Sequence, residues 1–99
     1  LNRLADGRAA IESALRLNDA NAWAWRNRGL HHLLNGDAVL ALADLKKAET
    51  LDPSVESLYF YLGEAHRLAK NQAEACRAYR KAKQLGDPSV TPELLKGCS

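Results

Sequence analysis

The chain has 99 residues, which is room for one domain and too little for a catalytic domain beside a cofactor domain. Hydrophobic residues make up 46% and charged residues 26%, proportions that suit a folded chain and exclude intrinsic disorder. The 14 basic and 12 acidic side chains give a formal charge of +2, which is weak for a nucleic-acid-binding module. No apolar run approaches about 18 residues, so we expect no membrane insertion.

Helix signals begin the first half of the chain. Asn21 suits the N-cap of a helix that ends at Gly36, because glycine readily takes the left-handed conformation found after helix ends. Asp37 suits the N-cap of the next helix, which continues to Leu51. Pro53 then stops it, since proline cannot donate the helical hydrogen bond.

The second half follows the same order. Ser54 is the predicted N-cap of a helix over residues 55–69, and a helix over residues 72–85 follows it. Pro88 closes this second pair. Thr91 then suits the N-cap of a short helical stub, which we expect to cover the apolar end of the last pair.

A period of 34 residues relates the two halves. Helix-turn-helix units of this length stack on one another, because each unit buries only one of its faces internally. The identical residues at this offset include Gly29 and Gly63, His32 and His66, Leu34 and Leu68, Ala41 and Ala75, Lys47 and Lys81, Ala48 and Ala82, and Leu51 and Leu85.

These spaced positions resemble the tetratricopeptide repeat family, whose pattern runs Trp, Leu-Gly, Tyr, Ala, Phe, Ala and Pro. The matching residues are Trp25, Gly29, Ala41, Leu45, Ala48 and Pro53 in the first copy, and Tyr59, Leu62, Gly63, Ala75, Tyr79, Ala82 and Pro88 in the second. The departures are Arg28 in place of Leu, and His32 and His66 in place of Tyr.

The resemblance implies an all-α fold, a right-handed superhelical stack of antiparallel helix pairs (an α-solenoid). It implies a single domain over residues 1–99, divided into the second helix of a truncated repeat, two repeats and the start of a capping helix. Their predicted bounds are 1–20, 22–55, 56–89 and 90–99. The chain has no Met, and we expect it to be a piece of a longer protein.

In this family the first helix of each pair lines a concave groove, so the resemblance implies a scaffold that binds a peptide segment of a partner protein. Trp23 and Phe60 lie off the core pattern and are the expected apolar contacts. The predicted groove residues are Trp23, Arg26, Asn27, Leu30, Phe60, Tyr61, Glu64 and Arg67. Two alternatives stay open. The basic run over residues 67–83 could bind nucleic acid, which we disfavour, or an acidic partner. The chain could also be a purely structural part of a longer repeat array.

We expect no enzyme, cofactor, metal or small-molecule substrate. The serines lack a nucleophile elbow, and the glycines form no phosphate-binding loop. His32 and His66 occupy equivalent positions, but no acidic residue or cysteine recurs beside them to complete a metal site. Cys76 and Cys98 are far apart in the sequence, and we expect both to be free thiols, with Cys76 a small apolar residue on a helix. We expect a cytoplasmic location.

Overall fold

The computed structural model describes residues 11–16 and 19–98, and within these residues every regular element is a helix. The helices are α1 (residues 11–16), α2 (Ala22–Leu34), α3 (Ala38–Leu51), α4 (Leu58–Leu68), α5 (Gln72–Gln84) and α6 (Pro92–Leu95). Residues 1–10 and 17–18 of the predicted first helix lie outside the described residues.

The helices pack as successive pairs. α2 lies along α3 and α4 lies along α5, each pair joined by a short turn, which makes the two members antiparallel. α3 also contacts α4, and α2 touches α4, so the second pair stacks on the first. α6 makes a smaller contact with α5. The predicted all-α helical repeat fold is confirmed.

Local chemistry sets most helix ends where the sequence predicted them. The side-chain oxygens of Asn21 and Asp37 accept hydrogen bonds from the backbone N–H groups of Ala24 (3.1 Å) and Leu40 (3.0 Å). These N–H groups would otherwise have no partner within the helix. Gly36 has a φ of 78°, the left-handed conformation expected after α2.

The start of α4 differs from the prediction. The hydroxyl of Ser54 does not cap the helix but donates to the Asp52 carboxylate (2.6 Å), and the Ser54 N–H donates to the same oxygen. These bonds hold the pKa of Asp52 below its usual range. The chain then turns until Ser57, whose φ is 61°, and α4 begins at Leu58 rather than at residue 55.

Small residues let the paired helices approach closely. A methyl group added to Gly29 would lie 2.8 Å from Cγ of Leu45, and one added to Gly63 would lie 2.5 Å from a ring carbon of Tyr79. Both distances are shorter than a van der Waals contact, so each glycine sits where a larger neighbour fills the space. Leu45 and Tyr79 are fully buried. The repeat pattern therefore marks the contacts inside each pair.

The free-thiol prediction is wrong. Cys76 and Cys98 form a disulfide, with their Cα atoms 5.5 Å apart. Cys76 lies on α5, and Cys98 reaches it because the chain folds back after α6, so the bond fastens the C-terminal stub to the last helix pair. Leu94 and Leu95 are partly buried there.

Candidate partner-binding groove

An open cavity of about 720 Å³ lies between α2 and α4, on the face where the groove was predicted. Its walls combine four leucines and two aromatic rings with charged groups. The lining residues are Leu30, Leu33, Leu34, Phe60, Tyr61, Glu64, Arg67, Leu68 and Lys70. Five of the eight predicted groove residues are in this set.

Arg26 and Asn27 extend the groove beyond the cavity. The Arg26 guanidinium donates to Oδ1 of Asn27 (2.6 Å from Nη2) and to the backbone carbonyl of Glu56 (2.6 Å from Nη1). It also lies 5.8 Å from the ring centre of Tyr61, a cavity residue. Arg26 therefore connects α2 to the turn before α4, and its cation is held beside the cavity.

Trp23 does not line the cavity. It is 53% exposed, near the start of α2. The side chains of Trp23, Asn27 and Leu30 share one face of the helix, because residues four and seven positions apart lie above one another. The structure thus leaves Trp23 as exposed apolar surface, on the same helix face as the cavity but apart from it.

Phe60 is packed more than the sequence suggested. It is half-buried, with its ring centre 5.5 Å from that of Tyr61 and 6.3 Å from that of the buried Tyr79. Such spacings are typical of tilted aromatic pairs. Phe60 therefore lies between the groove and the core, although the sequence pattern placed it off the core positions.

Glu64 is engaged from two sides. Arg67 donates to its Oε2 (2.9 Å), and the Tyr79 hydroxyl donates to its Oε1. Burial, together with this hydrogen bond to a carboxylate, raises the pKa of Tyr79 above its usual range. Glu64 and Arg67 are therefore held in fixed positions at the floor and rim of the groove.

Sequence reasoning missed Leu68 and Lys70, which complete the far end of the cavity. One signal for Leu68 was present: Leu34 and Leu68 are identical residues one period apart, and both lie at the last positions of groove helices. They are 64% and 42% exposed, respectively. Lys70 adopts a φ of 63° in the turn after α4.

The basic residues of the run 67–83 do not form one patch. They lie in the groove (Arg67, Lys70), in a cleft between α3 and α5 (Arg77, Lys81) and beside α6 (Arg80, Lys83). Arg67 and Arg77 also form ion pairs with Glu64 and Glu74, at 2.9 Å and 3.3 Å. The positive charge is thus divided among three surfaces.

A buried polar cluster lies inside the first pair. The guanidinium of Arg28 donates to both oxygens of the Asp44 carboxylate (2.8 Å and 3.0 Å), and Nε2 of His32 lies 3.4 Å from the same carboxylate. The Arg28 guanidinium also stacks 4.7 Å from the ring centre of Trp25. The hydrogen bonds to Asp44 raise the pKa of Arg28 above its usual value. No acidic residue stands beside His32 in the sequence, and the fold brings Asp44 to it from α3.

The described parts of the chain, residues 11–16 and 19–98, contain no group of three or more His, Cys, Asp or Glu side chains placed to hold a metal ion. Within the same residues, none of the helices has the length and apolar character needed to span a membrane.

The architecture defines a helical repeat protein, a stack of helix pairs with a groove between the first helices of successive pairs. A profile of the tetratricopeptide repeat matches residues 1–56. The chain belongs to the tetratricopeptide repeat family, whose domains bind other proteins and are generally non-catalytic scaffolds.

Similar proteins agree with this assignment. The chain is 31% identical to mouse "Superkiller complex protein 3" over 96% of its length, and 35% identical to the human protein of that name over 69%. It is 31% identical to "Peroxisome biogenesis protein 5" of Arabidopsis thaliana over 75% of its length. The matched regions are 7%, 4% and 10% of those proteins, so the chain spans a tenth or less of the relatives it matches. Family membership and these relatives support a protein–protein interaction scaffold.

Proposed function

We propose that the groove between α2 and α4 binds a peptide segment of a partner protein. The observation that carries this proposal is the cavity of about 720 Å³, in which exposed leucines and aromatic rings lie beside fixed charges. Cavities of this size with few polar groups are typical binding sites. Family membership supports the same assignment, because repeats of this kind bind other proteins.

The groove chemistry indicates what kind of segment fits. Leu34 and Leu68 expose apolar surface that an apolar side chain of the peptide would bury. This burial would contribute a binding free energy of about 25 cal/mol per Å², from which the ordering costs of association are subtracted. Arg26, Arg67 and Lys70 provide hydrogen-bond donors and positive charge around it. We therefore propose a peptide with an apolar anchor flanked by acidic residues or exposed backbone carbonyls, in which the charges set orientation.

The test begins with a random peptide library displayed on phage, selected against the whole chain. A selected synthetic peptide is then titrated into the protein, with the exposed Trp23 as a fluorescence reporter. Leu34→Ala and Leu68→Ala should each weaken binding by about 5–30-fold, because each removes an apolar contact that lines the site. Both side chains are exposed, so the fold should stay intact.

Val39→Ala is the matched control. Val39 is 78% exposed on α3 and does not line the cavity, so this variant should bind like the wild type. If all three variants bind alike, the peptide binds elsewhere and the groove is not the site. If no peptide is selected, the alternative of a structural element in a longer array replaces this proposal.

The division of the basic run favours the groove over nucleic-acid binding. Nucleic-acid modules present their charge along one face, whereas here Arg67 and Arg77 are ion-paired and lie on different surfaces. A groove peptide should also keep most of its affinity as salt rises, unlike a nucleic acid bound through its phosphates.

A further inference from the structure

A second cavity lies on the opposite face of α4. This cleft between α3 and α5 has a volume of about 490 Å³, within the range of small-molecule sites. α4 supplies its floor with Tyr59, Leu62 and His66, which lie on the side of the helix away from the groove residues. The peptide-binding proposal makes no use of it.

The internal repeat provides a template for the contents of this cleft. Leu62, His66 and Ala78 occupy the positions that Arg28, His32 and Asp44 occupy one period earlier. In the first pair, the Asp44 carboxylate fills this place and is held by the guanidinium and approached by the imidazole. In the second pair, Leu62 and Ala78 are apolar and line the cleft, so neither supplies a carboxylate at this place.

The charges around this position also differ between the two pairs. In the first pair, the negative charge of Glu12 acts on Arg28. One period later the position of Glu12 is taken by Lys46, which lines the cleft and whose charge acts on His66. The Arg28 guanidinium in the first pair is therefore paired with a carboxylate of the chain, whereas the cleft beside the second pair is lined by the Lys46 cation of α3.

Two further observations favour an anion in the cleft. The Glu74 carboxylate is already engaged by Arg77 at 3.3 Å. Burial, followed by the nearby Glu49 carboxylate, raises the pKa of the Tyr59 hydroxyl above its usual range. Among the described residues, no ion pair engages Lys46 or Lys81, and the Lys81 ammonium lies 5.9 Å from the ring centre of Tyr59. The charged residues that line the cleft carry one net positive charge. They are Lys46, Glu49, Glu74, Arg77 and Lys81.

The imidazole of His66 completes the site. Its Nδ1 is buried and has no hydrogen-bond partner among the residues that the structure describes. Burial, followed by the charge of Lys46, holds the pKa of His66 below its usual range, so the ring is neutral near pH 7. Tyr59 and His66 present flat rings beside the apolar floor, which suits a planar body on the ligand.

We propose that the cleft between α3 and α5 binds a small aromatic carboxylate, whose carboxylate takes the place that Asp44 holds in the first pair. Lys46 and Lys81 would supply the charge-assisted hydrogen bonds, and Leu62 and Ala78 the apolar contact.

The experiment titrates sodium benzoate into the whole chain and follows the imidazole proton resonances of His66 by NMR. The resonances are assigned by their loss in His66→Gln. A ligand of this size should bind with a Kd of ~1–10 mM. Benzamide, which has the same shape and no charge, should bind at least ~10-fold more weakly, because a charged acceptor makes the stronger hydrogen bond with lysine.

Ala78→Asp is the decisive variant, because it gives the second pair the carboxylate of the first. It should abolish the benzoate-dependent shift. Lys46→Ala should weaken binding by ~3–10-fold through loss of a charge-assisted bond. Circular dichroism checks that each variant folds. Lys46 is exposed, so Lys46→Ala should fold and can test the site even if Ala78→Asp does not. Arg67→Ala, in the groove, should bind benzoate like the wild type.

Three results would overturn the proposal. The absence of a saturable shift up to ~50 mM benzoate would show that no site exists at this strength. Equal binding of benzamide would show that the carboxylate is not recognised. A shift that survives in folded Ala78→Asp, an unchanged benzoate affinity in Lys46→Ala, or a loss of the shift in Arg67→Ala would place the ligand outside the cleft.

Discussion

The ion pair inside the first helix pair can be exchanged for the apolar contact of the second. The double substitution Arg28→Leu with Asp44→Ala reproduces Leu62 and Ala78, which occupy the equivalent buried positions one period later. Each single substitution breaks the pair and leaves one charge behind. The three variants therefore form a double-mutant cycle whose expected outcomes follow from burial.

The two single variants should differ in cost. Arg28→Leu leaves the Asp44 side chain, which is 8% exposed, with only the His32 imidazole nearby, and should lower the free energy of unfolding by about 3–4 kcal/mol. Asp44→Ala leaves the guanidinium, which is 27% exposed and stacked on Trp25, so the expected loss is about 1–2 kcal/mol. The double variant should lie within about 1 kcal/mol of the wild type, because a desolvated ion pair and an apolar pair of similar volume are nearly equal in stability.

Urea unfolding followed by far-ultraviolet circular dichroism measures all four proteins, with unchanged m-values as the check that unfolding stays two-state. The expected coupling energy between Arg28 and Asp44, the sum of the two single losses minus the loss of the double variant, is about 3–7 kcal/mol. If the two single losses simply add in the double variant, the ion pair contributes nothing cooperative, and the equivalence of the two pairs at this position is refuted.

Three other predictions concern packing, the disulfide and pH. Gly63→Ala should lower the free energy of unfolding by about 2–3 kcal/mol, because its methyl group would lie 2.5 Å from the Tyr79 ring, and an unchanged urea midpoint would contradict the close approach. The disulfide should leave no thiol reactive toward Ellman's reagent before reduction, and reduction should cost about 3 kcal/mol for a loop of this length; two reactive thiols in the untreated protein would show that Cys76 and Cys98 are not bonded. Stability should fall as the pH drops below about 6.5, because the unfolded chain protonates His66 more readily than the folded chain, whose pKa is lowered. His66→Gln should reduce this dependence, and an identical pH profile in that variant would assign the effect to other groups.

The repeat made most of the fold predictable. Asn21 and Asp37 act on backbone groups three positions away, so their roles depend on local sequence alone. The glycines and alanines of the core recur at the 34-residue period, and this regularity predicts the contacts within each pair. The groove was expected from the family resemblance, in which the first helix of each pair lines it, and its role in binding stays a prediction.

The features that the sequence did not predict depend on contacts between residues that are far apart in the chain. Arg28 and Asp44 are 16 residues apart on different helices, and their pairing follows only from the register of α2 against α3. As an N-cap, the Ser54 oxygen would accept a hydrogen bond from a backbone N–H group. The Ser54 hydroxyl instead donates to the Asp52 carboxylate. Cys76 and Cys98 meet only because the chain reverses after α6. The cytoplasmic location stays a prediction, and the disulfide, a bond typical of oxidising compartments, bears on it.

The disulfide gives the stack a direction of unfolding. Stacked repeats open from their ends, because a terminal unit has a neighbour on one side only. The bond between Cys76 and Cys98 fastens the segment after α5 to the last pair, so that end cannot peel away while the bond is intact. In this chain, opening should therefore begin at α1, which packs on α2, and proceed toward α5. Amide hydrogens should exchange in that order, and reduction should let exchange start at α6 as well.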